Sequence, residues 1–406
     1  VIGAGLSIDR RRRPAVVRGS PFAFDFINAP FIPASWNLSR SSVATYYGTD
    51  GLIHTAAPNV ARFDADPLSH APRGLLIEPQ RANLIPYSNF PAGWATNGSP
   101  SSTQGVAAPD GSTNGARIAT ATTGTGYYSQ SNVQTNTVYT ASVFVRLVQA
   151  GTTSSIVMLG KDGGIGNVNF DLATHAVQQL GSSVVAWGYD PLQNGWLRLW
   201  VAYNSGTLTK TATVVYGAAG MVFDAWGADL EQGCYPSSVI ATNGAGVTRA
   251  ADLMTTRDMS AINPTEGTFV FDGAFNGVSG GGMFAFSLDD GVNYGIGIYK
   301  VLGSGFVNAY SSGATGTSTG VAVSDGERFR AGISYRSQGL SAITSINGAA
   351  ARTISTTGKL NPLQLSIGSA HGAFNACTLT RSLSYWPYAM GSAELAAATR
   401  LIPPTL

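Results

Sequence analysis

Pro72-Arg-Gly-Leu-Leu-Ile-Glu-Pro-Gln-Arg-Ala-Asn-Leu-Ile-Pro-Tyr-Ser-Asn-Phe90 decides how this chain is read. Its Leu75, Ile77 and Leu84 fall at strand-core positions. A second stretch, Phe223-Asp-Ala-Trp-Gly-Ala-Asp-Leu-Glu-Gln-Gly-Cys-Tyr-Pro236, followed by Thr248-Arg-Ala-Ala-Asp252, matches it as a bookend. The segments between them alternate apolar and polar residues. The first stretch therefore marks a boundary: a Pro-rich segment lies before it and strand-forming sequence after it.

Composition agrees with an all-β chain. Of 406 residues, 44% are hydrophobic and only 11% charged, against about 25% charged in ordinary soluble domains. Gly, Ser, Thr, Ala and Asn fill the difference, and most of these lower helix propensity. The length suits two or three domains. A net charge of +2 is too small to imply a nucleic-acid or anionic-membrane partner. No apolar run is long enough for a transmembrane helix, and Val1–Leu6 is too short an apolar opening for a signal peptide. Two cysteines, Cys234 and Cys377, exclude a disulfide framework and a cysteine metal cluster.

Asp-Gly and Asn-Gly turns punctuate the chain at Asp50-Gly51, Asp110-Gly111, Asp162-Gly163, Asn194-Gly195, Asp290-Gly291, Asp325-Gly326 and Asn347-Gly348. This is the strongest short-range hairpin signal. Strand-like runs sit between them: Val138–Arg146, Gly195–Tyr203, Gly267–Gly273 and Phe329–Tyr335. Many short strands at even spacing predict sandwiches. The clearest helix signal is Gly391–Arg400, with Ser392 placed to cap it and Pro403-Pro404 to stop it. The expected organisation is an extended Pro-rich arm over residues 1–72 and two jelly-roll sandwiches over 73–258 and 259–406. No fixed-period repeat is visible.

Gly74–Leu84, Ala108–Gly111, Val138–Val145, Asn169–Leu172, Asn194–Arg198 and Trp226–Glu231, with Arg62–Pro67 upstream, resemble a carbohydrate-binding-module-like β-sandwich of bacteriophage head spike and tail fibre proteins. Ala82 stands where that pattern usually has Thr, and Asp229 where it has Gln. Gly267–Phe271, Leu365–Ser369 and Ser392–Leu395 resemble a concanavalin-A-like (laminin-G-like) jelly roll. The resemblance implies a virion-surface protein that attaches to host polysaccharide. It implies a homo-oligomer, a trimer on a tail or a pentamer on a five-fold capsid vertex, contacting other virion proteins. Neither nucleic acid nor membrane insertion belongs to that picture. A decoration protein without glycan affinity is the rival reading, and a glycanase accessory module a weaker one.

Sugar sites pair an aromatic face with amides or carboxylates. Trp196, Trp200 and Trp226 read as core. Trp187, Tyr189 and Asp190, flanked by Gly188 and Pro191, read as a ligand-bearing loop. Trp94, beside Gly93, and Tyr127-Tyr128, after a Gly/Thr-rich turn, are further candidates. No cofactor is required. Asp289 and Asp290 carry hard oxygens suited to a structural calcium, though Asp-Gly is also simply a hairpin turn. The resemblance implies a second calcium position at Glu78 and Glu231. His54, His70, His175 and His371 are too dispersed to form a metal site. Gly316-Thr-Ser-Thr-Gly320 matches G-x-S-x-G but lacks the strand-to-helix setting of a hydrolase elbow. Gly295-Ile-Gly297 lacks the third glycine and the following helix of a dinucleotide site. No carboxylate pair stands out for glycoside cleavage, so no enzyme is expected. The basic run Arg10, Arg11, Arg12 and Arg13 suits docking to an acidic virion neighbour.

Overall fold

The computed structural model describes residues 22–401, apart from 153–154, 162–164, 278–282, 292–293, 302–304, 312–316, 355, 357 and 371–374. Arg10–Arg13 and His371 lie outside the described residues. The protein is all-β, as composition requires, and forms two β-sandwiches.

One sandwich packs two six-stranded antiparallel sheets face to face. The first runs Val184–Pro191, Leu197–Asn204, Val138–Gln149, Val222–Gln232, Gly115–Ala119, Ser101–Val106. The second runs Val177–Leu180, Gly166–Asp171, Ile156–Lys161, Lys210–Gly217, Thr125–Asn132, Ala95–Asn97. Period-2 alternation sends Val143, Val145, Leu197, Leu199, Val201 and Tyr203 inward onto Val157, Leu159, Val168 and Phe170. Each such large apolar side chain contributes about 1.5–3 kcal/mol on burial. The alternate positions Trp196, Arg198 and Trp200 point to the opposite face.

The other sandwich has an eight-stranded and a seven-stranded sheet, and its sheet pairing corrects the expected organisation. Residues 22–72 are not a free arm. Phe22–Asp25 pairs antiparallel with Thr378–Trp386, so Phe22 stacks on Tyr385 and Phe24 and Phe26 enter the core. Asn37–Ser39 pairs with Leu253–Thr256, and Phe63–Ala65 pairs with Pro72–Ile77. Pro72–Ile77, expected to open the first sandwich, pairs with Thr378–Trp386 in the second. Leu75 and Ile77 are core residues, as read, but of that second core. Gly74, at φ +111°, is held to glycine because a Cβ there would meet the Thr380 carbonyl oxygen at 2.2 Å. The boundary expected at residue 72 therefore falls inside this sheet. The division expected between residues 258 and 259 falls just after Leu253–Thr256, which already pairs with Gln364–Ile367 of this second sandwich.

The first sandwich is thus an insertion between strands of the second. Its entry, Arg81–Asn83, and its exit, Val247–Arg249, pair with each other in a two-stranded ribbon. Entry and exit then lead into a buried ionic cluster. Arg62 Nη1 donates to Glu78 Oε2 at 2.6 Å, and Arg62 Nη2 pairs with Asp252. Arg40 Nη1 meets Asp252 Oδ1 at 2.7 Å, and Arg249 Nη1 lies 3.1 Å from Glu78 Oε2. All five side chains are buried. Backbone carbonyls of Ser42, Ala57, Val60, Thr45 and Pro79 accept further guanidinium donors, while Arg62 Nε and Arg249 Nε and Nη1 have no hydrogen-bond partner among the described residues.

The short helix appears at Ser392–Ala398. Gly391 is its N-cap and no side chain caps it, so Ser392 is the first helical residue rather than the cap. Leu395 of this helix packs into the sheet beside Gly332.

Removing one member of a buried ion network leaves an uncompensated charge, at about 3–5 kcal/mol. Asp252→Leu, which strands Arg40 and leaves Arg62 to share Glu78 with Arg249, is therefore expected to lower the urea midpoint by that equivalent. Arg117→Met should cost under about 1 kcal/mol, because Arg117 is 45% exposed and Asp224 keeps Arg146 at 2.7 Å. Equal losses in the two variants would overturn this account of the cluster.

Candidate functional site

The outer face of the first sandwich, the second sandwich and the hairpin Ala44–Tyr47/Ile53–Ala56 enclose a cleft of about 500 Å³. The hairpin is seated by an apolar cluster in which Ile53 packs with Phe144, Leu192, Trp196, Trp226 and Val239. Trp226 Nε1 donates to Asn114 Oδ1 at 2.8 Å, and the Arg146 guanidinium lies 4.8 Å over Trp196. Trp200 packs at 5.2 Å on Tyr235. These three tryptophans are buried, as their spacing suggested.

Tyr46, Tyr47, Asp64 and Arg73 line the cleft from the N-terminal segment, and Asp190, Arg198 and Tyr235 line it from the first sandwich. Asp325, Arg328 and Arg381 line it from the second. Asp64 Oδ1 accepts the Tyr47 N–H at 2.8 Å. Burial raises the Asp64 carboxyl from the ordinary 3.8 to about 7, against the opposing pull of that N–H and of Arg73. Burial also raises Asp190, with Arg198 and Arg73 pulling the other way. Burial raises the phenols of Tyr47 and Tyr235 too. Arg198 donates to the Ser237 carbonyl at 2.6 Å and to Ser142 Oγ at 3.1 Å. The site thus combines tyrosine rings and hydroxyls with two carboxyls of raised pKa and several guanidiniums.

Of the residues picked out in sequence, the cleft takes Asp190 and Glu78. Trp187–Asp190 is not a loop: it lies within the edge strand Val184–Pro191. Gly188 is there for packing, since a Cβ would meet the Trp200 ring at 2.6 Å. In register, Gly188 lies opposite Trp200 and Asp190 opposite Arg198, which turns Asp190 into the cleft. Tyr189 points the other way and packs 5.2 Å from Phe170. Trp187 shares that parity and is 38% exposed on the edge, away from Asp190. Trp94 is a core residue: its ring lies 4.4 Å from Phe90 and its Nε1 donates to the Tyr87 carbonyl at 2.8 Å. Tyr127 joins the same core, while Tyr128 is half-buried on the opposite face of Thr125–Asn132. Neither tyrosine reaches the cleft.

At the expected calcium positions the carboxylates accept from protein groups. Glu78 accepts from Arg62 and from Ser238 N and Oγ at 2.8 and 2.6 Å, with Arg249 beside it. Burial alone would raise Glu78, but the two guanidiniums and Ser238 hold it well below the usual carboxylate range. They supply the positive charge a cation would have brought. Glu231 accepts from Ser237 N and Oγ at 3.1 and 2.6 Å. Asp289 accepts from Ser287 Oγ and the Gly291 N–H within the hairpin turn, with Asp290 half-buried beside it. No group of three or more His, Cys, Asp or Glu side chains is placed to hold a metal among the described residues. His70 and His175 take positive-φ turn positions. Cys234 and Cys377 are not disulfide-bonded and line one small hollow between the sandwiches.

At 229, where the resemblance expects Gln, burial and then the Glu231 charge push Asp229 well up, toward its neutral form. A protonated carboxyl is the closest an acid comes to an amide.

No family model matches this sequence, and no curated protein matches it significantly. Among solved structures, the chain is similar to the receptor-binding domain of botulinum neurotoxin type G, at 10% identity over 36% of this chain and 39% of that one, with a TM-score of 0.29. It is similar to Trypanosoma rangeli sialidase in complex with the inhibitor DANA, at 7% identity over 71% and 66%, with a TM-score of 0.31. It is also similar to the CBM22-1–CBM22-2 tandem of Paenibacillus barcinonensis Xyn10C, at 10% identity over 73% and 96%, with a TM-score of 0.27. The chain therefore spans 39% and 66% of the first two proteins' lengths. Likenesses this distant carry no argument about what the cleft does.

The raised Asp64 carboxyl has a stability consequence. The folded state holds its proton up to about pH 7, whereas the unfolded chain releases it near 3.8. Between those values the folded state binds more protons, so stability falls as pH rises, by about 4 kcal/mol in all. Asp64→Asn should therefore be more stable than the native chain at pH 8 and equal to it at pH 4, measured by urea unfolding. A variant less stable at pH 8 would mean that Asp64 is ionised and stabilising.

Proposed function

We propose that this chain is a non-catalytic glycan-binding attachment protein of the fibre or head-spike type. In this reading it is displayed as a homo-oligomer on a virion surface, and the cleft between the sandwiches is its sugar site. The observation that carries the reading is the composition of that cleft. Tyr46, Tyr47 and Tyr235 offer ring faces and hydroxyls, while Asp190, Asp64 and Arg198 offer the planar hydrogen-bonding groups that sort sugar hydroxyls. The Asp190 side chain forms no hydrogen bond to another described residue, so its acceptor oxygens face the cleft uncommitted. The virion setting rests on the resemblance of Gly74–Leu84 and Trp226–Glu231. Several such sites on one particle add through avidity.

A glycan array probed with the assembled oligomer, together with polysaccharide from the host, tests the reading. Binding should be seen, and Asp190→Asn combined with Tyr235→Phe should weaken it about tenfold or more without lowering the thermal midpoint. No binding above background to any glycan would leave the decoration reading standing instead. The two raised carboxyls, Asp64 and Asp190, favour glycoside cleavage as a second reading. Release of reducing ends from a bound polysaccharide, lost in Asp64→Asn, would replace "non-catalytic" with that activity.

A further inference from the structure

The wall of the cleft built by the second sandwich carries more positive charge than its partners neutralise. Asp272, on Gly267–Phe275, faces outward because its neighbour Phe271 enters the core. Arg328 grips it with two hydrogen bonds, Nε at 2.8 Å and Nη2 at 2.7 Å. Arg330 lies directly across the ladder from Asp272, yet its Nε stands 3.7 Å from Oδ2. Arg381 Nε is 3.9 Å from Oδ1. One carboxylate thus serves three guanidiniums, and only one of them is in hydrogen-bond contact.

The strands place these arginines by design of the ladder. Arg328 and Arg330 share a face by period-2 alternation. Arg381 sits at a register shift: Asp272 pairs with Ser382 and Gly273 with Thr380, so Arg381 is the extra residue of a β-bulge. Bulges re-aim a side chain, and this one puts Arg381 on the same outer face. Among the described residues its side chain makes one hydrogen bond, from Nη1 to the Pro72 carbonyl at 3.3 Å. Arg330 has one long bond, at 3.4 Å to the Arg400 carbonyl, and its buried Nε has no hydrogen-bond partner. Each guanidinium has five N–H donors, so Arg330 and Arg381 keep donors uncommitted among the described residues. Burial, and then the charge of Arg328, pull the Arg381 guanidinium down from its ordinary value. An added anion would relieve that repulsion. The nearby acids are committed elsewhere: Asp325 pairs with Lys300 at 2.7 Å, and Asp25 accepts from Asn28 and Ile27.

We infer that Arg381, backed by Arg330, forms an oxyanion subsite of the cleft, with the charge of Arg328 beside it, and that the glycan it takes is an acidic one, its rings against the tyrosines and a carboxylate substituent on Arg381. This rests on the sugar-site reading of the cleft. Arginine is suited to the task because its planar fork meets a carboxylate with two parallel bonds.

The test is a titration of the full chain, labelled at arginine Nε, with sodium glucuronate, sodium sulfate and glucose at matched ionic strength. Glucuronate is expected to shift the Nε–Hε resonance of Arg381 saturably, and glucose to leave it in place. Arg381→Gln should weaken glucuronate binding by about tenfold, and Arg381→Lys should restore part of it, since Lys keeps the charge but not the fork. No shift with glucuronate overturns the inference. A response to sulfate alone also overturns it, leaving an inorganic-anion site only. Neutral polysaccharide bound equally by native and Arg381→Gln protein would sink the acidic-glycan inference while sparing the sugar-site reading. A saturable glucuronate response in a protein that binds no polysaccharide would do the reverse.

Discussion

Two carboxylates and three guanidiniums, all out of water, hold this molecule in one arrangement. Glu78 and Asp252 are bridged by Arg62, with Arg40 closing on Asp252 and Arg249 on Glu78. Taking each ion out of water costs several kcal/mol, a cost offset only when every charge meets its partner. The cluster therefore favours one geometry strongly and tolerates few others. Its donors also reach the carbonyls of Thr45, Ala57 and Val60. Through them the cluster fixes the hairpin Ala44–Tyr47/Ile53–Ala56, which carries Tyr46 and Tyr47 to the cleft.

The cluster explains how one sandwich is inserted into another. The chain leaves the second sandwich at Glu78 and returns to it at Asp252, and the Asp252 N–H donates to the Glu78 carbonyl at 2.9 Å. Domain termini that lie close together make an insertion inexpensive in chain entropy. The ribbon of Arg81–Asn83 with Val247–Arg249 closes the insertion just beyond these two residues. The opening stretch of the sequence thus holds a boundary between the two sandwiches near Glu78, not the arm-to-sandwich boundary at residue 72 that was expected, and the chain crosses it twice.

Much of the fold was legible because alternation reports local geometry. Val138–Arg146 and Gly195–Tyr203 became central strands, and Asn347-Gly348 takes the positive φ values of a tight hairpin turn. Sheet membership was not legible, because a period-2 pattern gives a strand two faces but does not name its neighbours. Pro72–Ile77 could have joined either sandwich on pattern alone. Phe22-Ala-Phe-Asp-Phe26 did carry a readable signal, strict alternation within the Pro-rich region, and it marks a core strand. The site was half legible. Asp190 was found among neighbours that misled, since Gly188 and Pro191 imitate a loop while Gly188 makes room for Trp200. Asp64, Arg328 and Arg381 gave no local signal, because partners such as Arg328 and Asp272 are 56 residues apart. In a chain with 11% charged residues, an acid or arginine beside an apolar strand was nonetheless a cue for burial.

The position of the cleft follows from the two kinds of face a sandwich has. Each sandwich spends its inner faces on its own core, so chemistry is left to the outer faces. On the first sandwich the outer face presents Asp190, Arg198 and Tyr235, and on the second it presents Asp272, Arg328 and Arg381. Neither set encloses a ligand alone, and the ionic cluster turns one toward the other. Packing could have filled the seam with apolar residues at lower cost, as it does around Ile53, Phe144 and Trp226. Instead the seam keeps a carboxyl whose burial lowers stability at neutral pH and arginines that outnumber their partner. Groups that cost stability where apolar ones would serve are expected at sites retained for binding. That excess, more than the presence of a hollow, distinguishes the cleft from a packing defect between two sandwiches.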